Sequence, residues 1–595
     1  MKLKRKVKHE NTRLKLVSFA FMGVCLVLIV KLFIIQVLGH KEYRALAEEQ
    51  YWDLQDIPAK RGDILSSDGF SLASTQTYYL MYAEPQKVAN TNKTADDLAE
   101  KLTDFNINEG ENRAEMFLEY KNRIFEALNK GLIWVILEHN LSPIQKETLA
   151  QLQLEGIGFE DEPIRFYPEE TLASHVLGFV ASDETGEKTG YFGIEGYLDR
   201  DLRGKPGRVI EEKDALGNPI LVGGHKKIDP IDGRTIVLTI NRSVQYIVEK
   251  RLKEAVEKYD ALSGTVIVMD PLTGDVISMA NFPSYNPSDF SDFNETKETT
   301  DSQKRKEVDR TNSAVSETYE PGSVMKPLTV ASAIDLHLVT PETTYDDAGP
   351  VKYSDYYIDN WDRKHLGVLN IIQLLQKSNN IGAAWVGHKV GSKNLSKYLK
   401  DFGLGEKTGI DLEGEDTGII RDYNTWTDID LATVSFGQGI SATPLQMLSA
   451  FNALANGGEL VKPRIVSKVI DENKEIVMPK KVIRRVISKE TSHTMRDLLI
   501  KAAEGGESKY FNLKNYVIAG KTGTAQIPVN GKYDPQATNA TFIGFLPGTN
   551  KFSMIVRLNR PQTSVYAAET AVPLWMQLTD DLVKYFGIAP DKISN

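Results

Sequence analysis

The sequence predicts an α+β protein held by one membrane helix, and three observations carry that expectation. A single apolar run near the N-terminus is long enough to cross a bilayer. From there to residue 231, short alternating segments mix with helical periodicity. From residue 232 on, strands come early and late around a helical centre, which predicts an antiparallel sheet completed by both ends of a domain, with helices packed on it.

Residues 1–15 form a basic tail, with seven Lys or Arg and one acid, Glu10, between Lys2 and Lys15. Residues 16–38 read LVSFAFMGVCLVLIVKLFIIQVL, which as a helix spans roughly 35 Å. Only Lys31 and Gln36 interrupt the run; Lys31 can snorkel to the far interface, while the basic tail stays on the cytoplasmic side. Ala45-Leu46-Ala47 imitates a signal cleavage site, but Lys41, Glu42 and Arg44 separate it from the apolar run, so the spacing favours an uncleaved anchor.

Residues 39–231 are expected to form an elongated α+β module, with an alternating run at Thr77–Ala83, helical stretches at Ala95–Leu102 and Met116–Leu128, and turns at Ser67-Asp68-Gly69 and Gly204-Lys205-Pro206-Gly207. Residues 232–595 open with a strand (Thr235–Ile240), an amphipathic helix (Val244–Tyr259) and a hairpin. In that hairpin Gly264–Asp270 and Asp275–Ala280 flank the turn Pro271–Gly274. Later strands are expected at Tyr516–Ala519, Ala540–Phe545 and Phe552–Leu558, before a closing helix over Ala567–Tyr585. The charged stretch Ser291–Arg310 reads as a solvated loop.

With 71 Lys and Arg against 81 Asp and Glu, the net charge is −10; because the N-terminal tail is basic, the remainder is strongly acidic, which disfavours nucleic acid as a partner. The 41% hydrophobic and 26% charged content excludes a mainly disordered or multi-pass membrane chain. Cys25 is the sole cysteine and there is no HExxH, so the chemistry is expected to use neither a metal nor a cofactor.

One S-x-x-K occurs in the chain, at Ser323 and Lys326, inside Glu-Pro-Gly-Ser-Val-Met-Lys and just before the apolar helical run Leu328–Leu336. That spacing puts both side chains on one face of a helix start. A serine hydroxyl attacks only when a base takes its proton, and a lysine is a base only when neutral, which needs a lowered pKa. Burial and a helix N-terminus both act in that direction. Pro327 has no N–H to give the Ser323 carbonyl, so the first turn is expected to kink there. Ser378-Asn379-Asn380 follows the helical run Leu369–Gln376, and Lys521-Thr522-Gly523-Thr524 follows the strand expected at Tyr516–Ala519. Decoys exist at Ser284–Asn286, Ser392–Asn394, Lys188–Gly190 and Lys407–Gly409; these are expected in turns or stand in the wrong order.

The ordered triple S-x-x-K, S-x-N, K-T-G resembles that of penicillin-binding proteins and β-lactamases, and the resemblance, over nearly the whole chain, is to the class B penicillin-binding proteins of division type. Arg61-Gly62-Asp63-Ile64 through Gly69 resembles that family's R-G-x-I-x-D-x-x-G motif, departing at Ser66. Arg165-Phe-Tyr-Pro168, His175, Gly178, Gly193-Ile-Glu195, Leu202, Gly204 and Gly207 resemble the spine of its N-terminal pedestal, a structural role. Phe436-Gly-Gln-Gly439 and Thr443-Pro-Leu-Gln446 resemble its loop and helix beside the site, and Glu320 before Pro-Gly-Ser resembles division-type members.

The resemblance implies a membrane-anchored D,D-transpeptidase with 39–231 as pedestal and 232–595 as transpeptidase domain. It implies that Ser323 attacks the D-Ala-D-Ala carbonyl of a peptidoglycan stem peptide and that Lys326 accepts the proton. Ser378 would relay a proton to the leaving amine and Asn380 would hold the substrate amide. Lys521, Thr522 and Thr524, with Gly523 in the same motif, would take the terminal carboxylate, and the backbone N–H groups of Ser323 and Thr524 would form the oxyanion hole. Which group is the base in each half-reaction stays open. β-Lactams are implied as acylating ligands. Glu160-Asp161, Phe166 and His175 fail the spacing of the glycosyltransferase motif of bifunctional relatives. Glycan polymerisation is thereby left to a membrane-embedded, lipid-linked glycosyltransferase acting with other division proteins. Two rival readings share the fold, a carboxypeptidase or β-lactamase-like hydrolase and a non-catalytic scaffold or β-lactam sensor; the intact triple argues against the second.

Overall fold

The structure is a computed structural model that describes residues 3–43, 52–108, 110, 112–212, 225–290, 310–353, 355–472, 474–511, 513–529 and 531–591. Ala45-Leu46-Ala47 and all of the expected solvated loop but Arg310 lie outside them. The chain divides into two compact units, residues 1–60 with 204–232 and residues 61–203 with 233–595.

In the first unit, α1 (Leu3–Phe33) runs from the basic tail into a single π-turn over Ile34–Leu38. Across α1 and that turn, Arg13–Leu38 is, among the described residues, the one helical segment long and apolar enough to cross a membrane. Phe19 and Phe21 remain 74% and 70% exposed, so no protein surface covers the apolar faces and lipid suits them. An antiparallel sheet of Trp52–Ile57, Gly207–Glu212 and His225–Ile228 belongs to the same unit.

In the second unit, a seven-stranded sheet joins Ile64–Leu65, Ser71–Ala83, Val135–Leu141 and Ile157–Phe166 to Thr235–Leu238, Val466–Asp471 and Lys474–Val477. The pedestal-type motif residues meet beside it. Arg61 Nε and Arg165 Nε each reach one oxygen of the fully buried Glu195 carboxylate at 2.6 Å, and Arg61 Nη1 pairs with Asp199 at 2.7 Å. Arg165 Nη1 also donates to the Gly62 carbonyl at 2.8 Å, so segments far apart in sequence are tied through one carboxylate. Ser66, where the chain departs from the R-G-x-I-x-D-x-x-G pattern, is fully buried, and its Oγ accepts the Phe70 N–H at 3.0 Å. The hydroxyl thus closes the turn as a carboxylate would.

The C-terminal portion is built on the antiparallel sheet β2-β1-β5-β4-β3, with β1 Ser263–Met269, β2 Val276–Phe282, β3 Ala519–Val529, β4 Lys532–Phe545 and β5 Ser553–Asn559. The helices that matter for the site are, in chain order, α2 (Arg242–Lys258), α3 (Lys326–Asp335), α4 (Ile371–Lys377), α5 (Asn380–Val390), α6 (Pro444–Ala455), α7 (Lys489–Gly505) and α8 (Ala571–Tyr585); shorter or peripheral helices lie at Ser313–Ser316, Ser392–Asp401 and Asp428–Ser435. The strand period of two separates the faces. Val266 and Val268 pack with Leu252 of α2 and Trp575 of α8, while Ile267 and Met269 join the core of Leu328 in α3 and Phe451 in α6. Early and late strands therefore do complete one sheet. The boundary of β3 corrects the sequence reading: the strand begins at Ala519, so Lys521–Thr524 lies on it and not after it.

Candidate active site

Ser323 sits in a single 3-10 turn, Gly322–Met325, leading into α3. The Lys326 N–H donates to the Ser323 carbonyl, an i+3 bond that takes the place of the one Pro327 is unable to make. The kink expected at Pro327 is thus a 3-10 turn that relaxes into an α-helix one residue before the proline. Three contacts brace this turn: the Gly322 N–H donates to the Gly437 carbonyl at 2.9 Å, the Gly439 N–H to Glu320 Oε1 at 2.9 Å, and the Tyr533 hydroxyl to Glu320 Oε2 at 3.0 Å. Burial raises the Glu320 pKa, opposed by those two donors. The loop Phe436–Gly439 therefore holds the Ser323 turn, and Thr443 caps α6 behind it with a reciprocal Thr443–Gln446 box.

Ser323 opens onto a cleft of about 810 Å³ that is also lined by Ser378, Asn380, Thr522, Thr524 and Glu507. The glycine of K-T-G has a steric reason: a Cβ on Gly523 would lie 2.9 Å from Val324 Cγ1 and 3.0 Å from the Pro321 carbonyl oxygen. Only glycine lets β3 pass this close to the serine turn.

Ser378 closes α4 in the left-handed region, φ 54° and ψ 40°, a conformation costing a non-glycine residue about 1 kcal/mol or more. Asn379 caps α5, and Asn380 is its first residue. A buried network holds this corner. The fully buried Asp347 accepts from Asn379 Nδ2 at 2.9 Å, Asn360 Nδ2 at 3.0 Å and the Leu366 N–H at 3.1 Å, with His365 Nδ1 at 3.3 Å. Asn360 Oδ1 in turn accepts the Asn380 N–H at 3.1 Å.

Lys326, fully buried, converges on the same corner. Its Nζ bonds the Ser378 carbonyl, Asn380 Oδ1 at 2.8 Å and Ser378 Oγ at 3.3 Å. The first two are acceptors only, and Asn380 Nδ2 is committed to the Asp359 carbonyl at 3.0 Å. A neutral amine satisfies them with its two N–H bonds and keeps its lone pair for a hydroxyl. Burial, and next the charge of Lys521, hold its pKa well below the ordinary lysine value, while Glu507 acts in the opposite sense. The third motif faces it: Lys521 Nζ donates to Ser378 Oγ at 3.0 Å, to the Thr522 carbonyl at 3.0 Å and to Thr522 Oγ1 at 3.1 Å. Burial lowers the Lys521 pKa too, again opposed by Glu507. Ser378 Oγ thus lies between two lysines, accepting from one and free to donate to the other.

All eight residues singled out from the three motifs meet at this cleft or its wall, and none of the decoys lines it. Lys188–Tyr191 is nevertheless a strand and not a turn, so strand context alone does not mark a K-T-G site. Sequence reasoning missed Glu507, Asp347, Asn360 and His365, whose partners lie 13 to 32 residues away for the Asp347 group and 15 for Glu507.

Comparison with known proteins identifies the family and the fold. Residues 264–578 match the family model of the penicillin binding protein transpeptidase domain, and residues 56–238 match that of the penicillin-binding protein dimerisation domain. The chain is 30% identical to Stage V sporulation protein D of Bacillus subtilis over 99% of this chain and 88% of that one. It is 28% identical to peptidoglycan D,D-transpeptidase FtsI of Escherichia coli, over 91% of this chain and 86% of that one. The crystal structure of penicillin binding protein 2X from Streptococcus thermophilus superposes with a TM-score of 0.72 at 26% identity, covering 91% of this chain and 83% of that one. Fold and cleft together define a serine enzyme of the penicillin-binding, transpeptidase class. The chain belongs to the class B penicillin-binding proteins, with a dimerisation domain ahead of the transpeptidase domain.

Proposed function

We propose that the protein cross-links peptidoglycan stem peptides through an acyl-enzyme on Ser323, and that β-lactams acylate the same hydroxyl. The observation that carries this reading is the buried Lys326, bonded to Ser378 and Asn380 with its pKa lowered, at the wall of a cleft that Ser323 lines. Neutral Lys326 takes the Ser323 proton as Oγ attacks the carbonyl between the two terminal D-alanines. The proton returns through Ser378 Oγ to the leaving amine of the last D-alanine, with Lys521 steadying that oxygen. Asn380 orients the substrate amide. The N–H groups of Ser323 and Thr524 stabilise the oxyanion, each worth about 3 to 4 kcal/mol in such sites. An acceptor amine from a second stem peptide then takes the acyl group and Ser323 regains its proton.

Lys521, Thr522 and Thr524 supply a cation and two hydroxyls at the edge of the sheet, a donor set suited to the carboxylate of the last D-alanine. Matched donors ending in a free acid and in an amide test this directly. The acid is expected to acylate Ser323 roughly ten- to a hundredfold more efficiently in kcat/KM, the effect of one hydrogen bond to a charged group. Equal efficiencies that persist when Glu507 is replaced would remove carboxylate recognition from this strand.

We assign 1–15 as cytoplasmic tail, 16–38 as anchor, 39–231 as pedestal and 232–595 as transpeptidase domain; the matches over 56–238 and 264–578 support the last two. The basic tail ahead of one apolar helix supports an N-terminus inside and catalysis outside. Protease added to intact spheroplasts is expected to digest the mass beyond residue 40 and leave a short protected N-terminal fragment. A mature N-terminus at Glu48 would contradict the anchor. The division enzymes and sporulation protein among its relatives, with Glu320 ahead of Pro321, support a role in septal synthesis beside a membrane-embedded, lipid-linked glycosyltransferase and other division proteins.

A further inference from the structure

The Lys521–Thr524 strand already faces a carboxylate, supplied by the chain itself. Thr522 Oγ1 donates to Glu507 Oε2 at 2.5 Å, and a hydroxyl has one proton to give. The three N–H bonds of Lys521 go to Ser378 Oγ, the Thr522 carbonyl and Thr522 Oγ1. Thr524 Oγ1 accepts the Ala567 N–H at 3.0 Å, which leaves its proton to donate. Of the donors proposed for the substrate carboxylate, the Thr522 hydroxyl is therefore engaged by Glu507, and the Lys521 ammonium is engaged by its neighbours.

Glu507 is built into this position. It stands on the turn just past α7, where the buried Ser508 donates through Oγ to the Ala503 carbonyl at 3.0 Å. A Cβ on Gly506 would lie 2.3 Å from the Ala502 carbonyl oxygen, so glycine is needed for the turn to fold back on the helix end. Its carboxylate lines the same cleft as Ser323 and Ser378. The charge is felt by both lysines, opposing the lowering of each pKa.

We propose that Glu507 is an internal occupant of the donor-carboxylate subsite, a specificity-determining residue that the terminal carboxylate of the donor has to displace from Thr522. This deepens the proposed function and rests on its assignment of the strand as the carboxylate-binding element. Glu507 lowers the advantage of an acid donor over an amide, because an amide brings no second negative charge to the cleft. It also sets a threshold against anions that lack the rest of the donor's contacts.

The test measures acylation kcat/KM for matched acid and amide donors on the full-length protein, in the wild type and in Glu507→Gln. The acid-to-amide ratio is expected to rise about tenfold in the variant, the weight of one charge-assisted hydrogen bond released to the donor. Glu507→Ala, which removes the acceptor altogether, is expected to move the ratio in the same direction and guards against a folding defect peculiar to one substitution. A ratio near one in the wild type and in both variants would overturn the carboxylate assignment itself. A wild-type ratio clearly above one that stays level or falls in both variants would leave that assignment standing and overturn the role of Glu507.

Discussion

Ser323→Ala is expected to abolish labelling by a fluorescent penicillin while moving the thermal unfolding midpoint by less than about 2 °C. The two readouts separate because of where the hydroxyl sits. Ser323 lines the cleft and its hydroxyl is not part of the hydrophobic core, so removing one oxygen opens no cavity there. What holds the turn is the backbone and Glu320, through Gly437, Gly439 and Tyr533, none of which the substitution touches. Loss of labelling together with a large fall in the midpoint would mean that the serine is structural.

Lys326→Arg is expected to lower acylation about a thousandfold or more. Arginine supplies a permanent positive charge but no base, since a guanidinium does not deprotonate in the working range. A charge-only role would survive the change. The wild-type pH profile gives a second check that needs no variant. The neutral amine is the active form and folding lowers its pKa, so acylation is expected to rise with pH through the lowered value and to level off below the ordinary lysine range. The same shift has a stability sign. The unfolded chain binds the Lys326 proton more readily than the folded one, so this group's contribution to stability rises with pH between the lowered value and the ordinary one. A flat acylation profile from about pH 6 to 9, or an active arginine variant, would remove Lys326 from the base role.

The parts of this site that were legible in the sequence are those whose chemistry is local. Ser323 and Lys326 share a helix start, whose spacing brings them onto one face, and Lys521–Thr524 share a strand, whose alternation turns Thr522 and Thr524 together toward the cleft. Their meeting across the cleft came from the family resemblance and not from periodicity. The strands β1, β2 and β5 followed from alternation to within two residues, whereas β4 begins at Lys532 and not Ala540, β3 runs on to Val529, and the expected start at Tyr516–Ile518 is not strand. There an apolar pattern reads as strand, yet pairing with β4 begins at Ala519, and Ile518 is buried against the α8 side of the core. Polar residues in turns hid the rest. Asp347, Asn360 and His365 look like surface loop in sequence, because nothing local reveals that one buried carboxylate collects Asn360 and Asn379 beneath the S-x-N corner. Glu507 follows two glycines and reads as a solvated turn; only the packing of that turn on the end of α7 aims it at Thr522.

The most direct test of the account is to incubate the full-length protein with a penicillin, digest it and locate the adduct by mass spectrometry. The expected result is one penicilloyl adduct on the peptide containing Ser323, formed in wild type and missing from Lys326→Arg within the same labelling time. An adduct on Ser378 or another residue, or an unmodified Ser323 peptide after prolonged incubation, would contradict it.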